Sequence, residues 1–286
     1  MGKRYKELNF ADNFMFCKVM TANENICRHV LELILGKKIK RVNFKSAEHI
    51  IELKNDAHAI RMDVYLDDEE GNVYDIEMQT TSDRALPKRA RYYQGMIDLN
   101  NLDRGTMYSE LPETFVIFIC TFDYFKQNLP IYTFDYTCNE LPELKFGDGA
   151  VKVFVNPFGM STDLPEDVIM LLDYIRENKA GDEFTKSIET AVEEAREHRT
   201  WEVEYMEWRA YEMDMAEDRE RAVAEGKAEG REIGLAEGRA EGRAEGRAEG
   251  RTSLIIEMVA AGDCTIEYGA GKLGITADEL EKLMEA

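Results

Sequence analysis

Apolar and polar residues alternate in two neighbouring stretches of the first half of the chain. In residues 60–66 every second residue, starting with Ile60, is apolar, and residues 73–79 repeat the alternation after the polar loop D-D-E-E-G-N. Alternation with a period of two is typical of strands that bury one face. The two stretches therefore predict a pair of adjacent strands.

Other patterns place helices and further strands around this pair. Residues 10–36 have apolar residues at helical spacing and predict one or two helices, and residues 83–102 predict another with Pro87 in its first turn. Runs rich in β-branched and aromatic residues predict three more strands, at 115–120, 131–136 and 151–157. The order predicts an α/β core over residues 1–160, with a mixed sheet flanked by helices.

Beyond this core the chain is predicted to be all helical, in three parts. An acidic helical region at 161–225 precedes an A-E-G-R repeat at 226–251, and a small helical module follows at 252–286. No glutamate of the repeat has a Lys or Arg three or four residues away, and each glycine weakens a helix by roughly 1 kcal/mol relative to Ala. The repeat is either a flexible spacer or a helix stabilised by a second copy on its glycine stripe, and the latter predicts a homo-oligomer.

The C-terminal module predicts three short helices, with breaks at 261–263 and 274–276. The spacing is typical of a helix-turn-helix, but many small helical bundles share it. The module is therefore either a piece that contacts DNA or a plain helical cap or interaction module.

Charge is distributed unevenly along the chain. Of the net charge of −21, residues 1–160 carry −4 and residues 161–286 carry −17. Phosphate binding depends on Lys and Arg, so the acidity of the C-terminal part does not exclude nucleic acid as a ligand of the first 160 residues.

Several classes of protein are excluded by composition. The longest apolar run, at 115–120, is far too short to cross a bilayer, and the polar start has no secretory segment. The five cysteines form no CxxC and the four histidines show no ligand spacing, so neither a disulfide framework nor a zinc site is predicted. We expect a cytoplasmic protein without membrane contact.

The two alternating strands favour one register. Val64 opposite Ile76 matches the apolar faces, and the same register puts Asp63 opposite Glu77. Two carboxylates directly across a strand pair repel each other. Either a cation such as Mg²⁺ resolves the conflict, since it takes carboxylate and water oxygens, or the acidic face is simply exposed to water.

Three sequence segments resemble one family. R-M-D-V-Y-L at 61–66, Y-D-I-E-M-Q at 74–79 and L-P-K-R-A-R-Y-Y-Q-G at 86–95 are similar to the PD-(D/E)XK nuclease family transposases, also called the Rpn family of recombination-promoting nucleases, and the similarity extends over residues 10–157. The resemblance implies a restriction-endonuclease-like fold and a DNA endonuclease that depends on Mg²⁺ or Mn²⁺. It also implies a link to mobile elements and DNA recombination.

By position in these motifs, the resemblance implies roles for three residues. Asp63 and Glu77 match the two acidic metal ligands, and Gln79 falls where the wider superfamily has a catalytic Lys. A neutral amide orients the attacking water but supplies no positive charge to lower its pKa. We therefore expect modest activity.

Further candidates lie on the predicted helices. An acidic residue of the first helix often completes the metal site in this superfamily, and Asp12 and Glu32 are the alternatives, each with a plain structural reading as a helix cap or a solvated face. Three cations with spacing i, i+4, i+7 are candidates for DNA phosphate contacts, or else a solvated face: Arg84, Lys88 and Arg91.

The leading hypothesis is a divalent-metal-dependent DNA endonuclease. The alternative is a catalytically weak protein of nuclease fold that binds DNA or protein and self-assembles. The sequence leaves open the cleavage site, nicking against double-strand cutting, DNA against RNA, the stoichiometry, and the choice among transposition, recombination and defence.

Overall fold

The computed structural model describes residues 3–51, 60–82, 85–102, 105–161 and 163–285. The chain divides into two compact units, Met1–Glu207 and Trp208–Ala286. None of the described helices combines the length and the apolar composition that a membrane crossing requires.

The first unit contains a six-stranded sheet and its helices. The helices are α1 (Asn13–Ala22), α2 (Glu24–Leu35), α3 (Leu86–Asn101), α4 (Glu166–Glu177), α5 (Glu183–Arg196) and the start of α6 (Arg199–Ala260). The strands are β1 (Val42–Ile51), β2 (Ile60–Asp68), β3 (Val73–Gln79), β4 (Thr114–Cys120), β5 (Ile131–Phe134) and β6 (Ala150–Val155).

The sheet is mixed, as predicted. Its strand order is β1-β2-β3-β4-β6-β5, in which β3, β4 and β6 are mutually parallel while β1, β2 and β5 pair antiparallel to their neighbours. Every residue of β3 and β4 is buried. Since successive side chains point to opposite faces, helices must cover both faces of the central strands. The predicted α/β architecture with an all-helical C-terminal extension is confirmed.

The predicted register of β2 and β3 is also confirmed over the paired positions. Val64 pairs with Ile76 and Leu66 with Tyr74. The turn between the strands is held by the buried carboxylate of Asp68, which accepts hydrogen bonds from the Asn72 amide groups (2.9 and 3.0 Å) and the Tyr74 hydroxyl (2.7 Å). The alternating pattern and a tight turn together fix which residues face each other.

Helix α3 covers one face of the sheet and positions the candidate site. It begins with Pro87 in its first turn and buries Tyr93 and Ile97 in one cluster with Tyr65 and Phe118 of the sheet. The helix therefore lies over the face that carries the odd-numbered residues of β2 and β3.

The second unit begins within α6, a continuous helix of 62 residues. The A-E-G-R repeat lies inside this helix. All side chains of residues 226–250 are exposed, and a Cβ added at any glycine of the repeat would meet nothing within 4 Å.

The end of α6 packs against two short helices, α7 (Ile266–Leu273) and α8 (Ala277–Glu285). Both breaks and the two short helices after them agree with the sequence prediction, but the first predicted helix is not a separate short one, because it is the end of α6. If this module were a helix-turn-helix, α8 would be its recognition helix. Helix α8 carries four carboxylates and one Lys. That charge opposes phosphate contact, so the interaction-module alternative is favoured.

Gly269 makes this packing possible, and substitution at this position tests it. A Cβ there would lie 3.0 Å from Ile255 Cγ2 and 3.1 Å from Leu280 Cδ2, whereas nothing lies within 4 Å of Gly271 on the same helix. We expect Gly269→Ala to cost about 1–3 kcal/mol through overpacking and Gly271→Ala to gain up to about 1 kcal/mol in helix propensity. Hydrogen exchange of the α7 and α8 amides measures both, and equal protection in the two variants would contradict this packing.

Candidate active site

The carboxylates of Asp63 and Glu77 form hydrogen bonds between β2 and β3, near the start of β2 and the end of β3. Paired positions of β2 and β3 run from Val64 and Ile76 towards the turn. Beyond that pair, the Asp63 N–H donates to Glu77 Oε1 (3.1 Å) and the Met78 N–H donates to Asp63 Oδ2 (3.1 Å). Each carboxylate thus takes a backbone donor of the opposite strand, and the two acidic side chains lie together as the register predicted.

Helix α1 contributes an amide to the same place. Asn13 Nδ2 donates to Asp63 Oδ2 (2.5 Å) and to the Met78 carbonyl (3.3 Å). Sequence reasoning placed a first-helix residue at the site but considered only acidic ones. Its position in the sequence could have identified Asn13 as a candidate, because it directly follows the candidate Asp12 and is the first residue of α1.

The acidic face of the hairpin is buried, which overturns the alternative of an exposed acidic sheet. Asp75 is 0% exposed, Glu77 2% and Gln79 8%. Burial of charged groups without compensation costs several kcal/mol per ion. The face therefore needs positive charge from the protein or from a bound cation.

Asp75 was missed as a site residue. Both of its carboxylate oxygens are buried and lack a hydrogen-bond partner among the described residues. Burial raises the pKa of Asp75 well above its ordinary value, and the nearby charges of Glu77 and Asp63 raise it further. Burial also raises the pKa of Glu77, although Arg89 and the Asp63 N–H oppose that rise.

Arg89 of α3 supplies the charge that faces this cluster. Its Nη2 donates to Glu77 Oε2 (2.6 Å) and its Nη1 to Gln79 Oε1 (3.0 Å). Its Nε donates to the Tyr93 hydroxyl (3.0 Å), and the guanidinium lies 5.1 Å and 5.3 Å from the ring centres of Tyr93 and Phe118. Burial alone lowers the pKa of Arg89, but Glu77 and Tyr93 outweigh it and the pKa is raised.

The amide of Gln79 is held from both ends. Its Nε2 donates to the Thr81 carbonyl (2.6 Å), and its Oε1 accepts from Arg89. The side chain is therefore oriented with its oxygen towards the guanidinium. The sequence alone gave no sign of this contact, because Arg89 lies in the R-A-R-Y-Y run, for which the pattern indicated either packing against the sheet or contact with DNA.

The donor set suits a hard cation. No group of three or more His, Cys, Asp or Glu side chains poised to hold a metal occurs among the described residues. Mg²⁺, however, is usually bound through one or two carboxylates, with water and substrate phosphate as the other ligands. Asp63 and Glu77 provide such a pair, and the unpartnered oxygens of Asp75 beside them are what a cation would compensate.

The other acidic candidates have different partners. Asp12 accepts from Lys3 Nζ (2.6 Å) and the Asn9 N–H (2.8 Å). Glu32 is buried and accepts from the Ile39 N–H (2.9 Å), which ties the end of α2 to the segment that follows. These bonds account for both residues without a metal, so our proposal for the site does not include them.

The predicted cation face of α3 is partly described. Lys88 and Arg91 are exposed on α3. Arg84 lies outside the described residues. The two exposed cations are available to solvent and hence to a phosphate backbone.

Replacing Asp75 with its neutral isostere tests the electrostatic cost of the site. We expect Asp75→Asn to raise the free energy of unfolding in EDTA by about 1–3 kcal/mol, because a buried amide without partners costs less than a buried carboxylate. Urea denaturation measures the change. Asp67→Asn is the control, since this carboxylate of β2 is paired with Lys45 at 2.6 Å and should give no gain. A loss of stability in Asp75→Asn would contradict the uncompensated burial.

Comparisons with known proteins agree with the geometry. Residues 10–139 match the family model of the PD-(D/E)XK nuclease family transposase, a range that runs from α1 through β5 and includes Asp63, Glu77 and Arg89. The comparisons with curated proteins and with solved structures give no match. The mixed sheet flanked by helices is consistent with a restriction-endonuclease-like fold. Residues 10–139, which carry five of the six strands of the sheet, are thus similar to the PD-(D/E)XK nuclease family transposases.

Proposed function

We propose that the protein is a DNA endonuclease that hydrolyses phosphodiester bonds with Mg²⁺ or Mn²⁺, in DNA recombination or the movement of mobile elements. The observation that carries the proposal is the pair of hydrogen bonds that hold the carboxylates of Asp63 and Glu77 together, with Asp63 partly and Glu77 almost wholly buried. A nuclease-fold protein linked to transposition or recombination is what the family match supports. The step to metal-dependent cleavage of DNA is ours.

Each residue of the site has a defined task in this proposal. Asp63 and Glu77 would hold the ion, which when bound acts as a Lewis acid and activates water for attack on phosphorus. Asn13 and the Met78 N–H hold the Asp63 carboxylate in place. Gln79 orients the attacking water through the lone pair of Oε1 that Arg89 does not use.

Lys88 and Arg91 are proposed to contact the DNA backbone. They are exposed residues of the helix that carries Arg89. Contacts of this kind position the substrate without reading its sequence. The proposal therefore includes no base preference.

The cleavage test uses supercoiled plasmid and the purified full chain with Mg²⁺, Mn²⁺ or EDTA. We expect metal-dependent nicking that falls by about 10²–10³-fold in Asp63→Asn and Glu77→Gln, because electrostatic groups of an active site typically contribute that much. Asp67→Asn removes a carboxylate of the same strand outside the site and should keep the rate.

The amide variants are preferred to alanine for a structural reason. Asp63→Ala would remove the acceptor of the Met78 N–H and one of the two acceptors of Asn13 Nδ2, so its loss of activity would not be separable from a loss of structure. Melting temperatures of all variants accompany the assay. Nicking that persists in EDTA, or in both site variants, would disprove the metal-dependent mechanism.

A second candidate function is self-assembly through the glycine repeat. The supporting observation is that residues 226–250 form a wholly exposed helix whose glutamates lack intrachain partners at helical spacing. A second copy can approach closely on the glycine stripe, and the Glu and Arg stripes of the two helices can then pair between chains. We propose a homo-oligomer formed in this way.

Substitution of the stripe separates assembly from intrinsic helix stability. The variant changes three glycines to alanine: Gly234, Gly238 and Gly242. We expect its helicity to rise, since alanine favours helix, while its mass by light scattering falls towards the 32.9 kDa of one chain. Alanine-to-serine changes at 236, 240 and 244 are the control and should leave the mass unchanged. A monomeric native protein would overturn the assembly proposal.

A further inference from the structure

The E-M-Q segment of β3 lacks the cation that a lysine at its third position would provide. Asp75 and Glu77 of β3 and Asp63 of the neighbouring strand β2 form a cluster of carboxylates. The third position of the segment provides only the neutral amide of Gln79. Among the described residues, the cation in direct contact with both ends of this segment is Arg89, through Glu77 Oε2 and Gln79 Oε1.

We propose that Arg89 is the catalytic cation of the site, contacting the scissile phosphate and taking the place of the missing lysine. The inference rests on the proposed nuclease function. It goes beyond that function because it assigns the positive charge of the reaction to a residue on α3, ten positions after Gln79.

The guanidinium has the reach and the donors for this task. Its side chain is 30% exposed, so a substrate can meet it from solvent. Of the five N–H donors of an arginine, the bonds to Glu77, Gln79 and Tyr93 use three. The other two are available for a phosphate, which arginine binds through paired donors.

The surroundings hold this group rigidly. The Tyr93 hydroxyl accepts from Nε, and the Tyr93 and Phe118 rings lie near the guanidinium. Phe118 is the register partner of Glu77 on β4. A fixed charge next to the reacting phosphate stabilises negative charge as it develops, without the cost of reorganising at the moment of reaction. An arginine does not give up its proton, so its part is charge stabilisation and no proton transfer.

Gln79 and Arg89 are complementary to each other. The amide oxygen accepts from the guanidinium, and its nitrogen is anchored on Thr81. A lysine at position 79 would offer no acceptor and would repel the guanidinium. The departure from the superfamily motif at Gln79 is thus matched by a cation on α3 that needs an acceptor at this position.

The test transfers the positive charge from position 89 on α3 to position 79 on β3. The variants are Arg89→Met and the double variant Arg89→Met with Gln79→Lys. We expect Arg89→Met to slow plasmid nicking by about 10²-fold or more, and the double variant to nick at least roughly tenfold faster than Arg89→Met. A role limited to packing does not predict this recovery.

Two further measurements make the result specific to the charge. Mn²⁺ affinity by calorimetry should be unchanged or tighter in Arg89→Met, because a cation that shares Glu77 with the metal has been removed. Arg89→Lys, which keeps a charge and loses the fork, should fold and show an intermediate rate. Arg176→Met, which removes an ion-paired arginine from α4, is the control and should retain the native rate.

The possible failures are distinguishable. If the native protein nicks no DNA with either metal, the nuclease function fails and this inference fails with it. If the native protein is active but Arg89→Met keeps its rate, or the double variant is no faster than Arg89→Met, the nuclease stands and the role of Arg89 is overturned. Weaker Mn²⁺ binding in Arg89→Met would also overturn it, since Arg89 would then act by shaping the metal site.

Discussion

The burial of acidic side chains at the end of the β2–β3 pair is the constraint on which the rest of the structure depends. Asp75 and Glu77 are almost wholly buried and Asp63 is partly buried, so these carboxylates need donors or a compensating charge. Asp63 and Glu77 take backbone N–H groups of the opposite strand, and α3 brings Arg89 to Glu77. Asp75 has no donor of its own among the described residues, and this local deficit marks a site built for something other than stability.

Local pattern predicted the elements of this arrangement. The alternation in β2 and β3 set the register that brings Asp63 beside Glu77, because a slip of one residue would place apolar side chains opposite polar ones on both faces. Gly36 marked the end of α2, where its backbone adopts φ 63°, and Pro87 marked the start of α3. These signals depend only on residues that are close together in the sequence, so the sequence alone was enough to predict these features.

The environment of the site could not be predicted in the same way. Burial of Glu77 depends on where α3 packs, and the alternation of polar residues is the same for a solvated face as for a covered one. The roles of Asn13 and Arg89 depend on contacts between elements that the pattern does not relate to each other. The helical state of the A-E-G-R repeat was likewise undecided, since propensity and charge spacing both opposed an isolated helix.

The turn at Asp68 has a consequence for how the hairpin responds to acid. Burial by itself raises the pKa of Asp68, but hydrogen bonds from Asn72 and Tyr74 outweigh it and the pKa is lowered from 3.8. A carboxyl group with a lowered pKa contributes stability above its ordinary pKa and loses it only as the pH falls through the lowered value. Carboxylates with ordinary values are protonated before that point. The turn that aligns the two acidic strands therefore keeps its charged acceptor in more acidic solution than a carboxylate without such hydrogen bonds would.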